Sequence, residues 1–223
     1  VPFVVDNTVA TPTNCQPLDY NADYVIHSTT KYLSGSNDHA GGAVMVKNSR
    51  EANVLNNFQL CWGMRISPLE SAVLWECMQD FQERMVRFNN NGAILAEFLS
   101  GHLAVDLVYH PSLSSHSSYA SAKKLLRGNG GLVSFTLKDE SENALKKFYD
   151  RQFSSIIKAP SIGSNQTLIC PYTLLTNYFY TDEELKEIKL PRHLIRVSAG
   201  CETEIDDILE DLDFALKRTI QRN

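Results

Sequence analysis

The first fifty positions alternate between short apolar runs and abrupt polar stops. Val1 to Val5 is closed by Asp6-Asn7-Thr8, Asp23-Tyr24-Val25-Ile26 leads into His27-Ser28, and Gly41 to Val46 ends at Lys47. Continuous apolar runs of this length predict strands buried on both faces. Polar residues at their carboxyl ends predict an open α/β sheet whose ligands gather outside the strand ends. Ser49 is positioned to cap a helix to Leu60, with Val54, Leu55 and Phe58 on one side. Ser67-Pro68-Leu69-Glu70 is a stronger helix start, with Ser as cap, Pro at the first turn and Glu three residues after the Ser. From Leu69 to Leu99 the apolar positions keep helical spacing, and Gly101 closes the segment; Asn89-Asn90-Asn91-Gly92 predicts a bend within it.

Beyond residue 101 the texture shifts. Val105 to Tyr109, Gly131 to Leu137 and Leu194 to Ser198 predict strands with partial alternation. Ser117 to Leu126, Glu142 to Phe153 and Ile205 to Ile220 predict helices. The last is amphipathic, with Ile205, Ile208, Leu212 and Leu216 on one face and Asp206, Asp207, Glu210 and Asp211 on a solvated one. Tyr178, Phe179 and Tyr180 read as a packing cluster. The natural division falls partway along the long helix, giving residues 1–82 as one unit and 83–223 as a smaller α+β domain.

Composition narrows the function classes. With 223 residues, 43% hydrophobic and 21% charged, the chain is an ordinary globular one, so collagen-like and disordered readings are excluded. Net charge is −5 and no basic run exceeds two residues, which argues against nucleic acid as a partner. No apolar stretch approaches the ~20 residues that cross a bilayer, so no membrane partner is expected. Five scattered cysteines without a CxxC spacing read as reduced thiols of a cytoplasmic protein. The six histidines show no HxH or HExxH spacing, so no metal site is expected. A strand at the first residue and the lack of an initiator Met lead us to expect a preceding segment.

The segment richest in chemistry is His27-Ser28-Thr29-Thr30-Lys31, followed by Gly35, Asn37-Asp38 and Gly41-Gly42. A lysine just past a strand end, flanked by hydroxyls that can bond a phosphate, is placed to form a Schiff base with a carbonyl cofactor. By itself the same pattern also describes a surface lysine in a Ser/Thr-rich turn. Asp6 ends the preceding strand, 25 positions before Lys31. A carboxylate there can keep the pyridine nitrogen of pyridoxal phosphate (PLP) protonated, or merely cap a turn.

Val4-Val5-Asp6-Asn7-Thr8-Val9-Ala10-Thr11-Pro12 and Asp23-Tyr24-Val25-Ile26-His27-Ser28-Thr29-Thr30-Lys31-Tyr32-Leu33-Ser34-Gly35 together resemble the trans-sulfuration (Cys/Met metabolism) family of PLP enzymes. The likeness continues through Tyr109 to His116, Gly128-Asn129-Gly130-Gly131 to Phe135, Ala159-Pro160-Ser161-Ile162-Gly163-Ser164, and Leu194-Ile195-Arg196-Val197-Ser198-Ala199-Gly200-Cys201-Glu202. The resemblance implies an α/β protein of fold type I (aspartate aminotransferase-like). Part of a large domain with a mostly parallel sheet would precede a small α+β carboxyl-terminal domain. It implies that Lys31 holds the cofactor and carries protons, that Asp6 pairs with the pyridine nitrogen, and that Thr8 lies beside the ring. Ser28 and Thr30 would bond the phosphate, Arg196 would clamp the substrate carboxylate, and Ser161 would position Lys31 or the substrate.

The chain departs from the family where Glu76-Cys77-Met78-Gln79-Asp80-Phe81 lacks the usual basic residues and where Pro160 precedes Ser161. By resemblance the chain is the carboxyl-terminal part of a longer enzyme, working on small amino-acid substrates in a homo-oligomer, a tetramer built as a dimer of dimers. The favoured reaction is γ-replacement of an O-acylhomoserine by cysteine, with γ- or β-elimination as alternatives. A rival from another class is a catalytically inactive partner subunit of the same fold.

Overall fold

The computed structural model describes residues 1–220 and contains two sheets. In the first, β1 (Val4–Asp6) leads into a single turn of helix, α1 (Thr11–Asn14), and then to β2 (Tyr24–Ser28). β2 lies parallel to β1, with Val5 opposite Val25, and β3 (Gly42–Val46) returns antiparallel, with Ala43 opposite His27. A wide helical turn at Thr29–Leu33 joins β2 to β3 and is interrupted at Lys31. Because β1 and β2 run the same way, Asp6 and Ser28 finish at the same edge of the sheet.

Three helices follow. α2 (Ser49–Trp62) is capped by the Asn48 side chain, which accepts from Glu51 N, so the cap lies one residue before the expected Ser49. α3 (Pro68–Cys77) starts with the Ser67/Glu70 capping box, as its sequence predicts. α4 (Phe81–Gly101) is the long spine. The apolar periodicity over 69–99 predicts one helix, yet the chain breaks at 78–80. Arg84 takes part in the break: its guanidinium donates to Cys77 O (2.7 Å), the carbonyl a continuous helix would pair with Phe81 N, which donates to Met78 O instead (3.3 Å). The bend expected at Asn89–Gly92 does not form. Asn91 instead donates to Gly200 O, Asn89 accepts from Gly130 N, and Gly92 lets Gly130 O approach where a Cβ would sit 2.1 Å away.

The second sheet has the order β4-β5-β8-β7-β6. Its elements are β4 (Val105–Tyr109), α5 (Tyr119–Leu125), β5 (Leu132–Leu137), α6 (Glu142–Tyr149), β6 (Ile156–Lys158), β7 (Thr167–Pro171), α7 (Tyr172–Thr176), α8 (Asp182–Glu187), β8 (Ile195–Ser198) and α9 (Ile205–Lys217). All neighbours pair antiparallel except β6 and β7. Leu95 and Leu99 of α4, Phe148 of α6, and Ile208, Leu212 and Leu216 of α9 pack with Phe135, Ile169 and Ile195 of the sheet. A second cluster of Tyr32, Leu33, Phe81, Met85, Phe88 and Cys201 ties the Lys31 turn to α4 and to the chain after β8.

Three expectations are corrected, and two strands were not foreseen. β1 and β3 are not buried on both faces: Val4 and Asp6 of one and Gly42 and Val44 of the other are exposed, because nothing among the described residues covers them. β6 and β7 carry no alternation to announce them, and β7 is buried at every position. Asp211 is buried; it accepts from Ser154 N and Ser155 N and pairs with Arg151 (3.1 Å). Tyr178, Phe179 and Tyr180 are exposed, with Phe179 at 93%. α2 and α3 bury none of their residues, although Trp62, Leu69 and Trp75 stand among them. No helix among the described residues is long and apolar enough to cross a membrane.

Candidate active site

The site gathers where the carboxyl ends of β1 and β2 meet the loop between β6 and β7. On the strand side, Thr8 N donates to Asp6 Oδ1 (3.0 Å) and Ser28 N donates to Thr8 Oγ1 (2.8 Å), so Asp6, Thr8 and Ser28 form one connected group. The hydroxyl of Thr8, helped by its backbone N–H, holds the Asp6 carboxyl below its ordinary value, so it is ionised at neutral pH. These residues line an open cleft whose far wall is Val44 of β3 and Phe58 of α2. Thr30 Oγ1 accepts from Gly41 N (3.2 Å) in the return toward β3.

On the loop side, Lys31 Nζ donates to Ser161 Oγ (2.8 Å) and lies 3.5 Å from Asn37 Oδ1. Ser161 Oγ in turn donates to Asn37 Oδ1 (2.6 Å). The amine thus has uncharged oxygens for partners. Arg196, on β8 between Cys170 of β7 and Ser134 of β5, donates through Nη2 to the carbonyls of Pro160 (2.6 Å) and Ser161 (3.1 Å). One face of its guanidinium lies 4.8 Å from the Tyr172 ring centroid.

The loop is seated by several backbone contacts. Gly163, at φ 68°, packs so closely on Tyr32 that a Cβ would fall 2.6 Å from Tyr32 N, and Gly163 N donates to Ser198 Oγ (3.0 Å). Asn165 N donates to Gly35 O (2.7 Å). Beneath them Arg84 is 5% exposed and donates to Tyr32 O (2.9 Å) and Leu33 O (3.0 Å). It fastens the Lys31 turn to α4.

Of the residues expected from sequence, Lys31, Ser161 and Arg196 are joined directly, and Asp6, Thr8 and Ser28 form the neighbouring group. Thr30 stands between them in the chain, its hydroxyl held by Gly41 N and in contact with neither group. Three neighbours were given no role by the sequence, although Asn37 lies in the segment it singled out. Asn37 could have been marked as an αL-tolerant residue two positions after Gly35, and Arg84 as the i+4 partner of Asp80. Tyr172 had no signal.

An amine without a carboxylate partner, a carboxylate kept ionised, and hydroxyls at the ends of parallel strands form the donor set that a PLP-dependent protein of fold type I requires. The match to known proteins is specific. Residues 1–217 fit the family described as Cys/Met metabolism PLP-dependent enzyme, and the chain belongs to that family. It is 36% identical over 215 residues to a cystathionine beta-lyase of Lactococcus lactis subsp. cremoris, covering 96% of this chain and 56% of that protein. It is 35% identical over 222 residues to an L-methionine gamma-lyase of Porphyromonas gingivalis, covering 99% of this chain and 55% of that one. Its fold matches the crystal structure of cystathionine gamma synthase from Xanthomonas oryzae pv. oryzae with a TM-score of 0.91 at 32% identity, covering 98% of this chain and 56% of that one. The chain therefore spans about half the length of the relatives it matches.

Proposed function

We propose that the full-length protein is a PLP-dependent enzyme of sulfur amino-acid metabolism and that Lys31 is its cofactor-bearing lysine. The observation that carries this reading is the Lys31 Nζ–Ser161 Oγ contact at the end of the strand that lies parallel to the one ending in the ionised Asp6. The donor set suits the cofactor: an amine with neutral partners for an aldehyde, a carboxylate for a protonated ring nitrogen, and the Ser28 and Thr30 hydroxyls for a phosphate. Bound PLP supplies an electron sink for negative charge at the substrate Cα.

The residues of this chain do the rest. Asp6 keeps its negative charge for the ring nitrogen, and Thr8 steadies it. Arg196 offers the N–H groups not held by Pro160 and Ser161 to the substrate carboxylate, with Tyr172 stacked against its plane. Lys31 takes the proton from Cα and returns it at a later carbon, a task its flexible stem and docking on Ser161 allow. The five free cysteines accord with a cytoplasmic protein, and a homotetramer rests on likeness to the family alone.

Among the family's reactions we favour γ-replacement: an O-acylhomoserine and cysteine give cystathionine and the released carboxylic acid. The fold match to the Xanthomonas enzyme supports it. A second reading, β-elimination from cystathionine, is favoured by the identity to the Lactococcus protein. The test is to give the full-length, PLP-loaded protein O-acylhomoserine with cysteine, and cystathionine in a separate reaction. Cystathionine formation in the first mixture supports γ-replacement; pyruvate and homocysteine from the second support β-elimination. A protein that takes up no PLP on Lys31 overturns the reading, and uptake without turnover of either mixture points to an inactive partner subunit.

A further inference from the structure

Asn37 stands outside every role assigned above, yet its side-chain amide meets both Lys31 and Ser161. We infer that Asn37 is a positioning residue that fixes the direction of the Ser161 hydroxyl and, through it, the direction of the Lys31 lone pair. The inference rests on the proposed function only for its catalytic consequence; the hydrogen-bond polarity stands without a cofactor.

The amide orientation follows from its neighbours. Asn37 Nδ2 lies 3.3 Å from Ile162 O, a carbonyl that can only accept, so the nitrogen faces Ile162. Oδ1 then faces Ser161 Oγ at 2.6 Å, and being itself only an acceptor it takes the hydroxyl proton. With that proton committed, Ser161 offers Lys31 lone pairs alone. At 2.8 Å the amine must therefore point an N–H at Ser161. When the amine is neutral, its lone pair is directed away from Ser161, free to attack a carbonyl carbon or to accept a proton. Asn37 adopts φ 60°, a left-handed conformation that Asn and Gly tolerate well, so replacing it by Gly removes the amide while keeping the turn.

The consequence is measurable before any cofactor is added. Full-length protein freed of PLP is labelled with trace acetic anhydride across a range of pH. The Lys31 peptide is then quantified by mass spectrometry against the peptide of the exposed Lys47. The quantity read is the labelling rate on the high-pH plateau, where the amine is neutral. In Asn37→Gly the freed Ser161 hydroxyl turns to donate to the lone pair, and the plateau rate falls about threefold to tenfold, the worth of one ordinary hydrogen bond. Asn37→Asp, whose carboxylate still accepts the Ser161 proton, stays within about twofold of the parent. In a Ser161→Ala background, Asn37→Gly has no further effect, because its influence runs through the hydroxyl.

An unchanged plateau in Asn37→Gly, or an equal loss in the Ser161→Ala background, overturns the inference. The proposed function fails separately. A protein that shows the expected plateau changes but takes up no PLP on Lys31 keeps the Asn37 polarity and loses the enzymatic reading. One that takes up PLP with an unchanged plateau does the reverse.

Discussion

Lys31 Nζ and Ser161 Oγ, 130 positions apart in the chain, are joined by a hydrogen bond of 2.8 Å. The bond ties the turn after β2 of the first sheet to the loop between β6 and β7 of the second. Lys31→Ala removes the one amine in this position. We expect the full-length variant to bind PLP only reversibly, without the visible band that borohydride removes, and its turnover to fall by about a thousandfold or more. Borohydride trapping followed by peptide mapping checks it; a trapped label on another lysine would contradict the assignment.

Arg196 has a planar fork that can meet a carboxylate with two parallel N–H groups while Nη2 keeps hold of the loop. Arg196→Lys retains the charge and loses the fork. The expected result is a KM for the amino-acid substrate raised about 10- to 100-fold, the value of one or two charge-assisted hydrogen bonds. Steady-state kinetics decide, and an unchanged KM would remove Arg196 from the substrate site.

Buried Arg84 donates to three carbonyls, those of Tyr32, Leu33 and Cys77. Arg84→Met fills part of the space but orphans those oxygens, each of which costs about 1–3 kcal/mol when left without a partner. A loss of at least about 3 kcal/mol in urea unfolding is expected, on the same accounting. A loss under about 1 kcal/mol would mean that water or a shifted backbone replaces the guanidinium.

His27 is buried beside the candidate site, and neither ring nitrogen has a hydrogen-bond partner. Burial holds its imidazole below the ordinary 6.5, and His110 is lowered for the same main reason. Between the lowered folded values and 6.5 the unfolded chain binds more protons than the folded one. The stability contribution is thus fully present above the unfolded value and is lost as pH falls through the folded one. His27→Leu should flatten part of this acid slope and raise stability at neutral pH by about 1 kcal/mol, since an unpartnered buried polar group disappears. Urea midpoints at about pH 7.5 and 5.5 measure both effects, and a variant with the parent's slope would show that His27 does not titrate on unfolding.

Much of this arrangement was legible in the sequence because it rests on local signals. The Ser67 capping box, the strand ends at Asp6 and Ser28, and the amphipathic face of α9 depend on residues within a few positions of one another. What was not legible depends on partners far along the chain. Arg84 takes part in breaking a periodic helix, and the carbonyls that recruit it belong to the Lys31 turn and to Cys77. Asn89 and Asn91, read as a bend, sit in an unbroken helix and bond Gly130 and Gly200. Asp211 looked solvated because its helix is acidic, and only the Ser154-Ser155 turn shows why it is inside. Of the candidate site, Lys31 and Asp6 had a motif, whereas Asn37 and Tyr172 acquire a meaning only when the second sheet is in place.

The apolar surface of α2 and α3 leads to a prediction about the chain by itself. Trp62, Leu69 and Trp75 are each two-thirds exposed or more. Patches of that kind bind other surfaces. Prepared alone, the 223-residue chain should enhance the fluorescence of a hydrophobic dye and self-associate in sedimentation, and changing the three residues to Gln should weaken both. A dispersed monomer that leaves the dye dark would show that this surface closes on itself.

Gly163 pressed against Tyr32 carries a consequence for how activity is acquired. The loop that bears Ser161 can settle only on a finished Lys31 turn, and it is delivered by strands of the other sheet. A chain with one sheet folded displays an ordinary, unaligned lysine. Under the proposed function, uptake of the cofactor on an aligned Lys31 would therefore report that both sheets have closed.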